Sequence, residues 1–549
     1  MAKEQQIDIT TTAEALAKEF KEHSVAEFFK KNRQMLGLYG KIRSLTTIIH
    51  EYVTNSLDAC EEANILPEIE IKIDELGPEY YEVTVKDNGP GLTKEVVGKA
   101  FGQLLAGTKF HRLMQMRGQQ GIGAAGCTMF SQMTTGKPVK VISGTGNGKC
   151  FAVEISIDAK TNQPKLSNYK EFKRNFRGVA VRAKFKEVLY KESEQSPLEY
   201  IRRTAIANPH VTIKFTDPSG KKHIFKRTSN KIPKKPKAVK PHPKGVTVDD
   251  VLSYARSTKA QKVISFLKND FDRMGAKALE EISKKVNFDL NKDPRSLTWE
   301  EAEQIVKAFR ETDFLAPSTD TLSPIGEEQI KKSFQTIVKP EFLSVVSRKP
   351  KVYAGGFAFQ VEVGIGVGGE AGRTLANGEK KAEIMRFANK VPLLFDAGSC
   401  AITKAVQSVD WKRYGLKDFE NSPVTVFVSL VSVYVPYTGA GKQAVADIDE
   451  IVEEIKLALM DSGRRTSRYL AALRKEREKQ MRREAFMKYI PEVSSALAKI
   501  TKVKEDKLKK KLEKLVLDKL KLEELEEKIE KARAEARGKE VKSNAKESN

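Results

Sequence analysis

The stretch KIPKKPKAVKPHPK at 231–244 holds six lysines and four prolines, and it constrains the architecture more than any other segment. Proline fixes φ and removes a backbone donor, so this density excludes a helix or a central strand. The clustered positive charges repel one another and extend the segment. The chain must therefore fold as separate units on either side of it. Its 549 residues, at about 150 per domain, predict three or four units.

Before this linker the pattern is α+β. SVAEFFKKNRQMLG (24–37) follows a polar start and reads as an amphipathic helix. Residues 40–63 carry apolar groups at Ile42, Leu45, Ile49, Tyr52 or Val53, and Ala59 or Cys60, which is a helical period. EIEIKID (68–74) and YEVTVKD (81–87) alternate and predict paired strands around Gly77-Pro78. VKVIS (139–143), FAVEISI (151–157), VAVRAKF (179–185) and VTIKFT (211–216) predict further strands. A helix followed by many strands is not a regular βαβ alternation.

After the linker, 246–312 predict a short all-helical module, with Thr298 capping a helix whose first turn holds Glu300 and Glu301. A second α+β unit begins near Pro317. Its run VTVFVSLVSVYVP (424–436) reads as a buried strand. A long charged helix is expected over 443–489. In the tail, Leu508, Leu515, Leu522 and Ile529 recur every seven residues with Leu512 between them, which fits either a pairing helix or a solvated one.

Charge narrows the function. Lys+Arg number 97 against 73 Asp+Glu, a net +24, which favours a polyanionic partner such as nucleic acid. The mean hydropathy is −0.45. No apolar run approaches the roughly 18 residues that span a bilayer, and the N-terminus lacks a signal-like apolar core. A cytoplasmic protein is expected. Cys60, Cys127, Cys150 and Cys400 match no zinc spacing and read as buried small residues.

Three elements carry chemistry. In HEYVTNSLDA (50–59), Glu51, Asn55 and Asp58 fall on one helix face. A carboxylate one turn from an amide suits water activation and a hard cation such as Mg²⁺. Alone, it is a solvated polar face. In VKDNGPGL (85–92), Asp87 ends a strand, and Gly89 and Gly91 permit a sharp turn close to a ligand. Alone, it is a tight turn. In RGQQGIGAAG (117–126), after AGTKF (106–110), Gly118, Gly121 and Gly123 precede a helix over 124–130 and form an anion cradle. It lacks the GK[ST] ending of a Walker loop.

The three together, in this order, resemble the GHKL ATPases, the superfamily of gyrase B, Hsp90, MutL and histidine kinases. The resemblance implies ATP and Mg²⁺ as cofactors. It implies that Glu51 activates water, that Asn55 is the metal ligand and that Asp87 receives adenine. The Gly118–Gly123 loop would wrap the phosphates. By the same resemblance Asp58, Gly89, Gly91, Thr108, Lys109, Gly118, Gln119, Gln120, Gly121, Ile122, Gly123 and Ala124 contact the nucleotide. One departure stands out. Members often carry a Thr in a later strand near adenine, whereas RGVAVRAKF (177–185) has Val179 and Ala180 there.

Longer stretches are similar to the archaeal DNA topoisomerase VI B-subunit family: HEYVTNSLDACEEANILPEI, RGQQGIGAAGCTMFSQMTTGKPV, SVAEFFKKNRQMLG, LSPIGEE (322–328), RFANKVPLLFDAGSC (386–400) and FMKYIPEV (486–493). This implies a multidomain α+β chain. A GHKL (Bergerat) ATPase α/β sandwich with an N-terminal dimerisation segment would occupy 1–228. The basic linker and a helix-two-turn-helix domain would occupy 229–315. A transducer ending in a long helix would occupy 316–495, and a charged helical tail 496–549.

In YTGAGKQA (437–444) the resemblance makes Lys442 a γ-phosphate sensor of catalytic importance, assisted by Gln443. Implied partners are a separate A subunit with a Toprim fold and nucleophilic tyrosine, and double-stranded DNA bound without sequence preference. ATP-dependent self-dimerisation would build an A2B2 heterotetramer, with no membrane involved. The basic linker and the arginines at 464, 465, 468, 474, 477, 482 and 483 would meet DNA phosphates or simply solvent. Alternatives are a MutL-like repair clamp, an Hsp90-like chaperone, a non-catalytic DNA-binding scaffold, or a histidine kinase using His23.

Overall fold

The computed structural model describes residues 24–107, 113–118, 121–439, 441–520 and 522–536. The proline-rich linker forms no helix or strand across 231–242, apart from one isolated bridge between Val239 and Leu113. The missing proline donors account for this.

The first unit is an eight-stranded sheet covered on one face by helices. Helix α1 is Val25–Lys31, closed by a capping box of Ser24 and Glu27. Helix α2 is Lys41–Glu62, and it buries Leu45, Ile48, Ile49, Tyr52, Val53, Leu57 and Cys60. Strand β1 (Glu68–Gly77) and strand β2 (Tyr80–Lys86) form the expected antiparallel pair. They bury alternate residues, as a sheet with one packed face requires. Helices α3 (Lys94–Gly102) and α4 (Gly123–Thr135) follow.

Strands β3 (Val139–Thr145), β4 (Lys149–Asp158), β5 (Gln163–Lys173) and β6 (Arg177–Lys186) come next. Helix α5 (Pro197–Ala207) then leads to β7 (Thr212–Thr216) and β8 (Lys222–Phe225). The order across the sheet is β5-β4-β3-β6-β2-β1-β7-β8. Two strands were not expected, β5 and β8. β5 buries no residue, and β8 lies at the other edge with four residues. Neither offers the apolar alternation by which strands are read.

The helical module packs α6 (Val248–Ser257), α7 (Val263–Asp270), α8 (Ala276–Lys285) and α9 (Trp299–Glu311) around Phe266, Phe271 and Phe309. Thr298 and Glu301 form the capping box of α9.

The second α+β unit opens with α10 (Glu327–Ile337). Its strands are β9 (Phe342–Ser347), β10 (Lys351–Tyr353), β11 (Phe357–Val367), β12 (Arg373–Thr374), β13 (Lys380–Lys381), β14 (Glu383–Ala388), β15 (Val391–Pro392) and, beyond α11 (Ala401–Gln407), β16 (Val424–Ser432). β16 is buried along its whole length between β11 and β14. The strand stops at Ser432, short of the expected 436.

The long helix α12 is Asp449–Thr501 rather than 443–489. At its start, Tyr437 and Val445 pair as a β-bridge and Ala446 donates to Pro436, which holds the backbone out of helix. At its end, Pro491 interrupts one intrahelical bond without stopping the helix. The tail forms α13 (Glu505–Leu520) and α14 (Leu522–Ala536), both packed back against α12. Ile529 is buried beside Phe342 and Tyr469, so one position of the heptad pattern is satisfied within the chain. Leu515 remains exposed. Among the described residues no helix is long and apolar enough to cross a membrane.

Candidate functional site

A cavity of about 540 Å³ opens between α2, the β2 end, the Gly-rich loop and the second α+β unit. It collects Glu51, Asn55, Asp58, Asp87, Gly91, Gly118, Gly121, Ile122, Gly123, Ala124, Lys442 and Gln443. Gly89 is not in the lining but shapes it. Thr108, Lys109, Gln119 and Gln120 lie outside the described residues, as do the N-terminal segment 1–23 and His23.

Helix α2 carries the first group because its apolar stripe faces the sheet and leaves the opposite face polar. Asn55 is exposed, and Glu51 and Asp58 are half-buried. The Glu51 carboxylate reaches the N-terminus of α4. The His50 Nε2 lies 3.9 Å from Glu51 Oε1, and its ring stacks edge-on against Tyr200. Burial holds the His50 pKa below its usual value, so the ring is neutral near pH 7. Asp58 accepts a 2.8 Å bond from Arg117, which also binds Glu61 at 2.5 Å and Asn208 at 2.6 Å. Asp58 thus fixes the residue that begins the Gly-rich loop.

Asp87 sits at the floor, 7% exposed. Its Oδ1 accepts the N–H groups of Gly89 at 2.9 Å and Val179 at 3.0 Å, and its Oδ2 accepts the Ser56 hydroxyl at 3.0 Å. Burial pushes its pKa up, while these three donors oppose the rise. Two ionised oxygens have about four acceptor positions. One therefore remains for a donor in the cavity. The strand that lacks Thr contributes the Val179 backbone N–H and the apolar side chains of Val179 and Val181. Gly178, at φ +128°, lets that strand pass over Asp87, since a Cβ there would lie 2.1 Å from the Asp87 carbonyl oxygen. Leu38, Val85, Leu92 and Phe101 add apolar walls to the cavity.

The opposite end is polar. Helix α4 starts at Gly123 with no side-chain cap, so its leading N–H groups face the cavity unsatisfied by a side chain. Lys442 enters from the loop between β16 and α12, with φ +51°. Burial lowers its pKa, and the Glu51 and Asp58 carboxylates pull the other way. Gln443 is buried, and its Oε1 has no hydrogen-bond partner. A buried unpaired acceptor is costly and marks a place for a donor.

An oxygen donor at Asn55 beside the Glu51 carboxylate suits Mg²⁺, which takes hard oxygen ligands, few of them from protein. Among the described residues no group of three or more His, Cys, Asp or Glu side chains is arranged to hold a metal by itself. The four cysteines are all buried and unpaired, as their spacing suggested.

Sequence reasoning missed Ser56, Arg117 and the Val179 N–H. Ser56 follows Asn55 directly, so its place on the sheet-facing side of α2 was readable. Arg117 opens a loop written RGQQG, but nothing in the sequence aims it at Asp58 and Glu61.

Comparison with known proteins follows the same division. Residues 40–159 match the family described as histidine kinase-, DNA gyrase B-, and HSP90-like ATPase. Residues 317–483 match the family described as topoisomerase VI B subunit, transducer. The B subunit of type 2 DNA topoisomerase 6 from Methanothermobacter thermautotrophicus is 49% identical, over 88% of this chain and 93% of that protein. The protein of the same name from Pyrococcus horikoshii is 46% identical, over 92% of this chain and 96% of the relative. The ATPase region of Saccharomyces cerevisiae topoisomerase II is 11% identical, with a TM-score of 0.36, covering 82% of this chain and 100% of that one.

Proposed function

The chain belongs to the family of type 2 DNA topoisomerase 6 B subunits, with a GHKL ATPase domain and a transducer domain, and from that premise we propose how its cavity uses ATP. The observation that carries the reading is that Lys442, from the second α+β unit, lines the same cavity as Glu51 and Asp87 from the first. A nucleotide there would touch both units at once.

Adenine sits between the apolar walls, and its exocyclic amine donates to the free acceptor position on Asp87. The phosphates lie against the α4 N-terminus and the Gly118–Gly123 loop, where amide N–H groups and the helix dipole favour negative charge. Glu51 orients the attacking water and takes its proton. Lys442 neutralises charge developing on the γ-phosphate. The Asn55 side-chain oxygen would hold Mg²⁺, which would supply charge neutralisation. Gln443, with its unpartnered Oε1, receives a donor when the site fills.

Four functional segments follow: an ATPase domain at 1–228, the linker and helix-two-turn-helix domain at 229–315, the transducer at 316–495 and a tail at 496–549. ATP binding brings two copies together, and hydrolysis resets them. The distal part of α12 exposes Met481, Phe486, Tyr489 and Val493, an apolar surface suited to a separate A subunit. That subunit supplies the Toprim acids and the nucleophilic tyrosine in an A2B2 assembly, which passes one DNA duplex through a break in another. The net charge of +24 supports phosphate contacts without sequence reading.

A repair clamp or chaperone would share the ATP site but not the transducer match at 317–483. The test is ATP-dependent decatenation of linked DNA circles, with and without an A subunit, at two salt concentrations. Decatenation that needs both subunits, ATP and Mg²⁺ supports the reading. ATP hydrolysis without strand passage in any combination overturns it.

A further inference from the structure

Arg43 lies on α2, the helix that presents Glu51, and faces away from the sheet. Its two terminal nitrogens donate to the two carboxylate oxygens of Asp396, each at 2.9 Å. Asp396 belongs to the other unit, in the loop after β15. The guanidinium is also packed between two rings, 4.2 Å from the Tyr39 centroid and 4.6 Å from that of Phe395. The Arg43 side chain is 12% exposed. A planar cation stacked on rings and forked onto a carboxylate has one geometry, unlike an ordinary surface pair.

The loop that carries Asp396 is held at both ends. Leu394 and Phe395 are buried within the core of the ATPase unit. Arg386 of β14 donates to the Phe395 carbonyl at 2.8 Å. Downstream, the Ala401 N–H donates to the Val445 carbonyl at 2.9 Å. The Val445 N–H in turn contacts Cys400 Sγ at 3.4 Å. Val445 closes the loop 437–445 through its bridge to Tyr437, and Thr438 donates to Ala444 inside it. Lys442 is in that loop. A Cβ on Gly441 would come within 3.9 Å of Arg43 Nη2, so the loop itself lies beside the guanidinium.

We infer that the Arg43–Asp396 pair is a latch that positions Lys442 in the nucleotide cavity relative to Glu51. Neither Arg43 nor Asp396 lines the cavity, although Arg43 lies beside the lining residue Gly441, and both act as positioning residues. The latch ties the helix bearing the water-activating carboxylate to the loop bearing the phosphate-sensing cation. This inference rests on the role proposed above for Lys442.

The test is ATP turnover by the full chain with the A subunit, measured for Arg43→Ala, Asp396→Ala, Lys442→Ala and the Arg43→Ala/Lys442→Ala double variant. Nucleotide affinity and thermal unfolding are followed alongside. Misplacing a group by about 1 Å costs up to about a hundredfold, so each latch variant should lose roughly tenfold or more in kcat. Nucleotide Kd and unfolding temperature should barely move. In the Lys442→Ala background, Arg43→Ala should cost nothing further. An undiminished loss in that background overturns the latch, as does full turnover in both Arg43→Ala and Asp396→Ala while Lys442→Ala is impaired. Full turnover in Lys442→Ala overturns the role of Lys442, and the latch with it. Asp396→Ala leaves Arg43 stacked between its rings and guards against simple loss of folding.

Discussion

Gly123 and Glu51 meet so closely that a Cβ on Gly123 would lie 1.8 Å from Oε2 of Glu51. The first residue of α4 is glycine because the carboxylate occupies the space of a side chain. Glu51 is thereby held against the helix N-terminus, where the proposed reading puts a nucleotide's phosphates.

Gly123→Ala should therefore act on catalysis more than on folding. The clashing atoms are the far end of a flexible side chain, which can swing aside. ATP turnover should fall by about a hundredfold, the cost of moving a general base out of line. Unfolding temperature should change little. Steady-state ATPase and melting curves check this. A variant that hydrolyses ATP normally would place the base elsewhere.

Asp87→Asn tests the floor of the cavity. Val179, Gly89 and Ser56 can still bond to the amide, so the turn should persist. What is lost, on the proposed reading, is a charged acceptor for the adenine amine. Hydrogen bonds to charged groups contribute about 1.5–3 kcal/mol, so nucleotide affinity should drop by roughly 10- to 150-fold. Titration with a non-hydrolysable ATP analogue measures it, and guanine analogues serve as the control for base selectivity.

The three chemical elements were legible in the sequence because each is local: a helical face, a strand-end turn and a Gly-rich loop. The expected strand pairs β1–β2 and the fully buried β16 were legible for the same reason. β5 and β8 were not, because their register is set by neighbours rather than by apolar alternation. The ends of α12 were misread since a β-bridge at Val445 and the tolerance of Pro491 are tertiary facts. The meeting of Lys442 with Glu51 joins residues from opposite sides of the linker, and residue patterns alone gave it no support. The ion-pair cluster around Arg117 was invisible for the same reason.

Arg117 is buried and pairs with Asp58 and Glu61. Burial acts to raise the Glu61 pKa, but Arg117 and the His210 bond hold it well below the usual carboxylate range. Arg117→Met removes the guanidinium shared by two carboxylates and should cost about 3–5 kcal/mol at pH 7. The stabilisation is present above the unfolded carboxylate value and is lost as pH falls towards the folded one. The gap between variant and wild type should thus narrow below about pH 4.5. Denaturant unfolding across that range checks it.

Lys390 of the β14–β15 turn is buried, with its ammonium 3.3 Å from the Ser323 hydroxyl. Burial lowers its pKa from 10.5 to about 8. Below that value both folded and unfolded states hold the proton, and folding bears the full cost of a buried charge. Above it the folded state sheds the proton first, so stability rises with pH until the unfolded lysine also titrates. Wild type should gain stability between about pH 8 and 10 relative to Lys390→Met. Parallel curves for the two proteins would show that the folded Lys390 keeps its proton up to the unfolded value, which contradicts the lowered pKa.

In the proposed mechanism, hydrolysis at Glu51 drives DNA strand passage through Lys442. Decatenation by the assembled A and B subunits probes this link, comparing wild type, Glu51→Ala and Lys442→Ala under saturating ATP. Both variants should still bind nucleotide. Glu51→Ala should lose hydrolysis and repeated strand passage, and Lys442→Ala should lose both in step. Wild-type decatenation by either variant would contradict the mechanism.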